Sequence, residues 1–374
     1  MQFEKRLAKY VRKKAEKKWV LNQKPPKDYY QTFIVIPAKA ESDDLPHLLK
    51  SISKQDKKNL KQCLVVIVFN RSDEDSYDIY NNNVESINYI NTSSFNFDIC
   101  YVDANSKQTL LPKKHAGVGL ARKIGVDLIL QYALEDSIIC YTDADTILSG
   151  NYLKIIKKYY NKNNCGCAIL SFQHQKSTDS IIEKNIRLYE KFLSKTAQDL
   201  KRAGSPYGYI SLGSAMTCTA SAYIAVGGMN RLKATEDFYF LQELSIHFGY
   251  MNCIKDIIVF PSSRISSRVY LGTGHRMQEI QKGNTINELY FLDTAFINLK
   301  KFLKIIENSY PLNIKELLQA TSHISELNDF LISNEIEKIW DSLIKNVDYN
   351  KYIAQFHRWF DGLKTIKFLK YFSN

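Results

Sequence analysis

No apolar run in this 374-residue chain approaches the roughly 18 residues that a membrane-crossing helix needs. The opening stretch, MQFEKRLAKYVRKKAEKKWV, carries charges throughout and lacks the apolar centre of a secretory signal. Cysteine occurs seven times, but Cys165 and Cys167 form a single CxC with no second Cys/His pair at zinc-like spacing. Cys63, Cys100 and Cys140 sit in apolar runs and read as small buried hydrophobes, which fits a reducing cytoplasm. The sequence has no internal repeat, no low-complexity linker, and no RNP-like, zinc-finger or helix-turn-helix signature. A spanning membrane protein and a structural zinc protein are thereby set aside. A nucleic-acid-binding protein is left without a recognisable module.

The composition that is present, 45% hydrophobic and 24% charged, is that of an ordinary soluble globular chain. The length suffices for one large domain or two smaller ones with a real core. The formal net charge of +12 points to a polyanionic partner: nucleic acid, an anionic membrane face or phosphate-bearing substrates. The excess lies at the ends. Residues 1–20 hold eight Lys/Arg against two Glu, and residues 351–374 hold five Lys/Arg, one Asp and seven aromatics. Most such runs are simply solvated helix faces.

From residue 31 onward, β-rich apolar runs alternate with amphipathic stretches. FIVIPA (33–38), CLVVIVF (63–69), FDICYVDA (97–104), SIICYTDA (137–144) and CGCAILSF (165–172) read as strands. Helical stretches begin near Asp43-Asp44, Ala116 and Gly150. Strand–helix alternation predicts an α/β fold, a mostly parallel Rossmann-like sheet with helices on both faces. Ligands on such sheets bind at the carboxyl ends of the strands, where Glu41, Asn70, Asp103, Asp143 and Asp145 fall. Past residue 280 the spacing becomes helical. NTINELYFLDTAFINLKKFLKIIE opens with a capping-box pair, Thr285 and Glu288, and is broken by Pro311. The chain is thus divided into a basic N-terminal helix and connector (1–28), an α/β domain (29–280) and a C-terminal helical appendage (281–374).

Four stretches carry candidate chemistry. In YTDADT (141–146), Asp143 and Asp145 stand one residue apart at the end of an apolar strand. Two such carboxylates repel unless a cation neutralises them. Mg2+ or Mn2+ takes one or two protein carboxylates and fills its other positions with water and phosphate oxygens. The plainer alternative is a solvated Asp-rich turn. In LPKKHAGVGLARKIG (111–125), His115 precedes a Gly117-Val118-Gly119 turn that enters a helix bearing Arg122. Glycines admit close backbone approach to a ligand, and a helix N-terminus favours anions; a capped surface helix is the alternative. In AVGGMNRLKATEDFYF (225–240), Glu236 and Asp237 open a helix, where acids are favoured by the macrodipole alone. In SSRISSRVYLGTGHRMQ (262–278), Arg264, Arg268, His275 and Arg276 surround a Gly272-Thr273-Gly274 turn, either a loop that closes cations over a diphosphate or a basic surface loop.

In this order, FIVIPAKAE (33–41), HAGVGLARKIGVD (115–127), YTDADT (141–146) and GSAMTCTASAYIAVGGMNRLKATEDFYF (213–240) resemble the family-2 glycosyltransferases of the GT-A fold. The resemblance covers residues 31–280. A DxD followed by a Gly-Gly turn and then Thr-Glu-Asp is far more specific than the DxD alone. It implies a nucleotide-sugar donor (UDP- or GDP-sugar), Mg2+ or Mn2+ as cofactor, and inverting transfer to the hydroxyl of a carbohydrate or lipid-linked acceptor. Such activity serves cell-surface glycan or polysaccharide synthesis. By motif, Pro37, Ala38 and Glu41 line the donor pocket. Asp143 lies near the ribose and diphosphate and shares the metal with Asp145. Asp237 is the catalytic general base, beside Glu236. Arg122, His115 and the cations Arg268, His275 and Arg276 belong to the donor side, offsetting charge on the departing diphosphate. Where many members carry an acid that reads the base, this chain has Asn70, which donates as well as accepts.

Three other readings stand beside this one. A retaining transferase of the same fold, acting on a small phosphorylated acceptor, would not use Asp237 as base. A non-catalytic nucleic-acid binder would use the basic ends. The stripe Tyr352, Phe356, Trp359, Phe360, Leu363 and Ile366, flanked by Arg358, Lys364 and Lys367, suits either a helix lying peripherally on an anionic membrane face or one packed against the sheet domain or a dimer partner.

Overall fold

The structure, a computed structural model, describes residues 2–264, 277–278 and 289–373. Its strands are β1 (Tyr30–Ala38), β2 (Cys63–Asn70), β3 (Asp98–Ala104), β4 (Ala133–Tyr141), β5 (Ile147–Leu148), β6 (Cys167–Phe172), β7 (Met216–Thr219) and β8 (Asn252–Phe260). Its helices are α1 (Gln2–Lys13), α2 (Leu45–Ser53), α3 (Lys57–Leu60), α4 (Tyr77–Thr92), α5 (Val118–Ile129), α6 (Tyr152–Asn163), α7 (Ser180–Arg202), α8 (Ala220–Ala225) and α9 (Glu236–Phe248). These are followed by α10 (Asp293–Asn308), α11 (Ile314–Thr321), α12 (Leu327–Ser333), α13 (Ile336–Ile344), α14 (Tyr349–Trp359) and α15 (Gly362–Tyr371). The expected capping pair Thr285 and Glu288 lies outside the described residues.

The chain forms two compact units. One comprises Met1–Ile186, Ser211–Leu244 and Asn252–Gly283; the other comprises Arg187–Ile210, Ser245–Met251 and Asn284–Asn374. In the first unit the strands form one sheet in the order β3-β2-β1-β4-β7-β6-β8-β5. Every residue of β2 is buried, as is nearly all of β1. That is why these strands read as unbroken apolar runs: a parallel sheet covered on both faces has no solvent side to alternate with. β1 pairs in parallel with β2 (Ala38↔Phe69) and with β4 (Val35↔Tyr141), and β2 pairs in parallel with β3 (Asn70↔Ala104). The carboxyl ends of these four strands therefore share one edge. β7 runs antiparallel between β4 and β6, and β5 runs antiparallel to β8. The sheet is mixed, not all-parallel. One core cluster joins strand residues such as Ile36, Val65 and Ile67 to Leu48, Leu49, Tyr152 and Ile156 of the helices.

α1 belongs to this unit. Its Tyr10 hydroxyl donates to Asp127 of α5 at 2.7 Å and accepts from Lys123 at 2.9 Å. Just beyond α1, the Glu16 amide donates to the other Asp127 oxygen at 2.8 Å.

The second unit packs α10–α15 around an aromatic cluster: Phe302, Phe330, Trp340, Tyr352, Phe356, Phe360 and Phe368 are all buried. This corrects one expectation. Tyr352, Phe356 and Phe360 of the proposed membrane stripe are buried in this cluster, with Trp359 and Ile366 packed against it. Of the six, only Leu363 is exposed. Burying a large aromatic against other aromatics gains several kcal/mol through area and edge-to-face contacts, about as much as a membrane interface offers. Among the described residues, no helix is long and apolar enough to cross a membrane.

Candidate active site

The pairing of strands fixes the two aspartates. β4 ends at Tyr141, and the amide of Thr142 still donates to the Val35 carbonyl at 3.3 Å. Thr146 then donates to the Asp143 carbonyl at 3.1 Å, which closes a turn, and Ile147 pairs with Phe260 of β8. Gln175 bridges the same two segments: its amide nitrogen donates to the carbonyls of Asp145 and Phe260, each at 2.8 Å. Asp143 and Asp145 thus stand on a short loop tied at both ends, beside the carboxyl end of β1 that holds Pro37 and Ala38.

Arg122 of α5 joins this loop to the start of α9. One terminal nitrogen binds Asp143 and the other binds Glu236. The Arg122 and Glu236 side chains are each 3% exposed. Burial works against the Arg122 charge, but Asp143, Glu236 and Asp237 together raise its pKa. Burial pushes the Glu236 carboxyl up to about 7, with Arg122 opposing and Asp237 adding to the rise. Asp237 is raised too, first by burial, with Arg122 pulling the other way. Arg122 was expected to face a departing diphosphate. Each of its terminal nitrogens binds a protein carboxylate, so it orients Asp143 and Glu236.

The Gly117-Val118-Gly119 turn also differs from expectation. A Cβ at Gly117 would lie 2.5 Å from Lys233 Cα, and one at Gly119 2.4 Å from the Leu232 carbonyl oxygen. The close approach these glycines permit is to the chain's own 232–236 loop, not to a ligand. His115 serves the same contact, with its Nδ1 3.2 Å from the Arg231 carbonyl. His115 is therefore set against the loop that leads to Glu236 and Asp237.

Asn70 ends β2 and is buried. Its amide nitrogen donates to the carbonyls of Ala38 (3.0 Å) and Val68 (3.1 Å), which locks the β1 and β2 ends together. Its amide donors are thus committed to the backbone, which fixes the side chain at this edge of the sheet. Asp103 at the end of β3 is likewise used, accepting from the amides of Asn105 and Ser106.

A second arginine completes the edge. Arg264, four residues past β8, donates through Nη2 to both oxygens of Glu41 at 2.7 Å and through Nη1 to Asp44 at 2.6 Å. Nη2 also lies 2.9 Å from Asp145 Oδ2. Burial, then the charge of Asp143, pushes the Asp145 carboxyl up to about 7 despite Arg264. Arg268, His275 and Arg276 lie outside the described residues. His174 is buried with its ring edge-on to Phe172, and Arg187 is paired with Glu190. Gln175 and Arg264 were missed as partners of Asp145, and Asp44 as a partner of Arg264. The β5–β8 pairing brings Arg264 beside Asp145.

These residues fit a hard divalent cation. Among the described residues, no group of three or more His, Cys, Asp or Glu is arranged to hold a metal. A cation of this type, however, binds one or two protein carboxylates and draws its other oxygens from phosphate and water. Asp145, pushed up by burial and by a neighbouring carboxylate, is a site whose ionised form a cation would stabilise. Asp143 and Asp145 would be its protein ligands.

Residues 33–221 match the sequence model of glycosyl transferase family 2. The match spans half the chain, and the chain belongs to that family. It is a glycosyltransferase, built on the mixed α/β sheet described above. Solved structures similar to it include S. aureus TarS 1–349 in complex with UDP-GlcNAc (14% identity, 88% of this chain and 91% of that one, TM-score 0.44). Another is the mannosyltransferase PcManGT from Pyrobaculum calidifontis in complex with GDP-Man and Mn2+ (14% identity, 99% and 92%, TM-score 0.44). A comparison with curated protein sequences returns no match.

Proposed function

We propose that the chain is a metal-dependent inverting glycosyltransferase that moves a sugar from a nucleoside-diphosphate donor to an acceptor hydroxyl. The acceptor is a carbohydrate or a lipid-linked glycan, and the setting is cell-surface glycan or polysaccharide synthesis. One observation carries this reading: Arg122 ties Asp143 of the DxD to Glu236 of the Thr-Glu-Asp, which brings the metal-binding acid and the segment that carries the candidate base Asp237 together.

In this reading Asp237 takes the proton from the acceptor hydroxyl as that oxygen attacks the anomeric carbon. A carboxyl raised by burial holds a proton better than an exposed one and so is the stronger base once ionised. Asp237 Oδ1 accepts the Phe238 amide at 2.7 Å, which fixes the side chain. Glu236 and Arg122 position the acids and take no part in proton transfer. Pro37, Ala38 and Glu41 border the donor site at the end of β1. A divalent cation bound by Asp145 and Asp143 would supply Lewis-acid stabilisation of the leaving diphosphate. Exposed Lys367, Lys370 and Leu363 on α15 are consistent with a peripheral encounter with an anionic membrane bearing the acceptor.

A thermal-shift panel of UDP-, GDP- and CMP-sugars with and without Mn2+ tests donor and metal together. A metal-dependent rise in Tm for one nucleotide is expected, and no rise with any of them would end the proposal. Proton NMR of the product decides the stereochemistry: inversion at the anomeric carbon is expected, and retention would remove Asp237 as base.

A further inference from the structure

We infer that Arg264 is an exchangeable counter-ion: it occupies the donor-site carboxylates until a nucleoside diphosphate draws it away and frees Asp145 for the metal. This rests on the donor-site reading given above.

The guanidinium is shared by three carboxylates from two separate segments. Glu41 and Asp44 come from the connection between β1 and α2, and Asp145 from the connection between β4 and β5. Asp145 thus shares a single guanidinium with two other carboxylates. Asp145 Oδ2 lies 2.9 Å from Nη2, within direct contact of the guanidinium, where a metal bound to the same oxygen would also sit. A divalent cation there would also stand beside the guanidinium charge and be repelled by it. Guanidinium and metal therefore exclude or weaken one another at Asp145.

A diphosphate resolves the conflict. Its oxygens suit the planar fork of an arginine and bind it through two parallel N–H···O contacts. Its charge also invites the metal. When the guanidinium moves to the diphosphate, the carboxylates become available to the cation and the repulsion is replaced by shared attraction to phosphate. Arg264 is built for such a move and Arg122 is not. The Arg264 side chain is 34% exposed and follows the end of a strand, whereas the Arg122 side chain is 3% exposed within a helix. The consequence is thermodynamic. Metal binds weakly alone, nucleotide tightens it, and metal tightens nucleotide by the same factor.

The test is a Mn2+ titration of the full chain, with free Mn2+ read by electron paramagnetic resonance, in the absence of nucleotide and with UDP or GDP present. Arg264→Gln is expected to bind Mn2+ about tenfold more tightly than wild type without nucleotide. The wild type is expected to gain roughly 5- to 150-fold in Mn2+ affinity from its nucleotide, and Arg264→Gln clearly less. Arg264→Lys, which keeps one charge but loses the fork, is expected to fall between the two and serves if the glutamine variant fails to fold. Equal Mn2+ affinity of the folded variants and the wild type without nucleotide overturns the exchange. If the wild type still binds nucleotide with Mn2+, the transferase reading survives that result. If the wild type binds neither UDP nor GDP, the donor reading and the exchange fall together.

Discussion

Arg122 and Arg264 each face several carboxylates on the same edge of the sheet, yet one side chain is 3% exposed and the other 34%. Arg122 rides on α5, reaches forward to Asp143 and Glu236, and has almost no water to replace a lost partner. Arg264 stands past the end of β8, where water reaches its guanidinium and competes for its donors, although Glu41 and Asp145 are themselves largely buried. The difference teaches what each ion pair is for. A buried fork is permanent, because removing one partner strands a charge; a half-exposed fork is cheap to open. The first fixes the geometry of the acids, and the second is suited to changing partners.

The largest effect expected lies beside the buried fork but outside it. Asp237→Asn removes the proton acceptor while leaving the hydrogen bonds of both arginines in place. Its kcat should fall by about 10²–10⁴, with donor affinity by calorimetry nearly unchanged. A loss of donor affinity in parallel with kcat would show that Asp237 holds the ion-pair network together instead. Next comes stability. Arg122→Met leaves Asp143 and Glu236 without their cation and should cost about 3–5 kcal/mol in urea unfolding. Arg264→Met should cost about 1 kcal/mol or less, and equal costs would break the contrast between the two.

A further effect is in pH. The Glu236 carboxyl moves from its ordinary 4.5 up to about 7, so between these values the folded protein holds more protons than the unfolded chain. Stability of the metal-free protein should therefore fall as pH rises through that window and level off above it, with Asp145 adding in the same direction. Glu236→Gln should flatten the slope of Tm between pH 5 and pH 8, and an unchanged slope would assign the proton uptake elsewhere.

Much of this was legible in the chain. β1, β2 and the second half of β4 are unbroken apolar runs because they are buried on both faces, and the DxD follows β4 directly. β7 was not read, because Met216–Thr219 is too short to show a period. β8 was not read either, because Lys255 and Asp256 interrupt its apolar residues. α4 passed unnoticed behind the run Asn81-Asn82-Asn83, which reads as loop. The acids were found from motif and spacing, but their partners were not. That Arg264 meets Asp145 depends on the β5–β8 pairing, and that Asn70 spends its amide on Ala38 depends on how β1 and β2 end together. A one-dimensional pattern records which side chains have chemistry to offer. It does not record which of them the fold has already spent.

The contact between α1 and α5 has a use in reading relatives. Tyr10 lies outside the family match, yet it is buried against Lys123 and Asp127, which follow Arg122 on the same helix. It also lies so close to Gly228, at φ +80°, that a Cβ there would fall 2.1 Å from the Tyr10 hydroxyl oxygen. Tyrosine, lysine, aspartate and glycine at these four places make a signature. A homologue that keeps all four is expected to carry the leading helix, and one that has lost the helix is free to vary the other three.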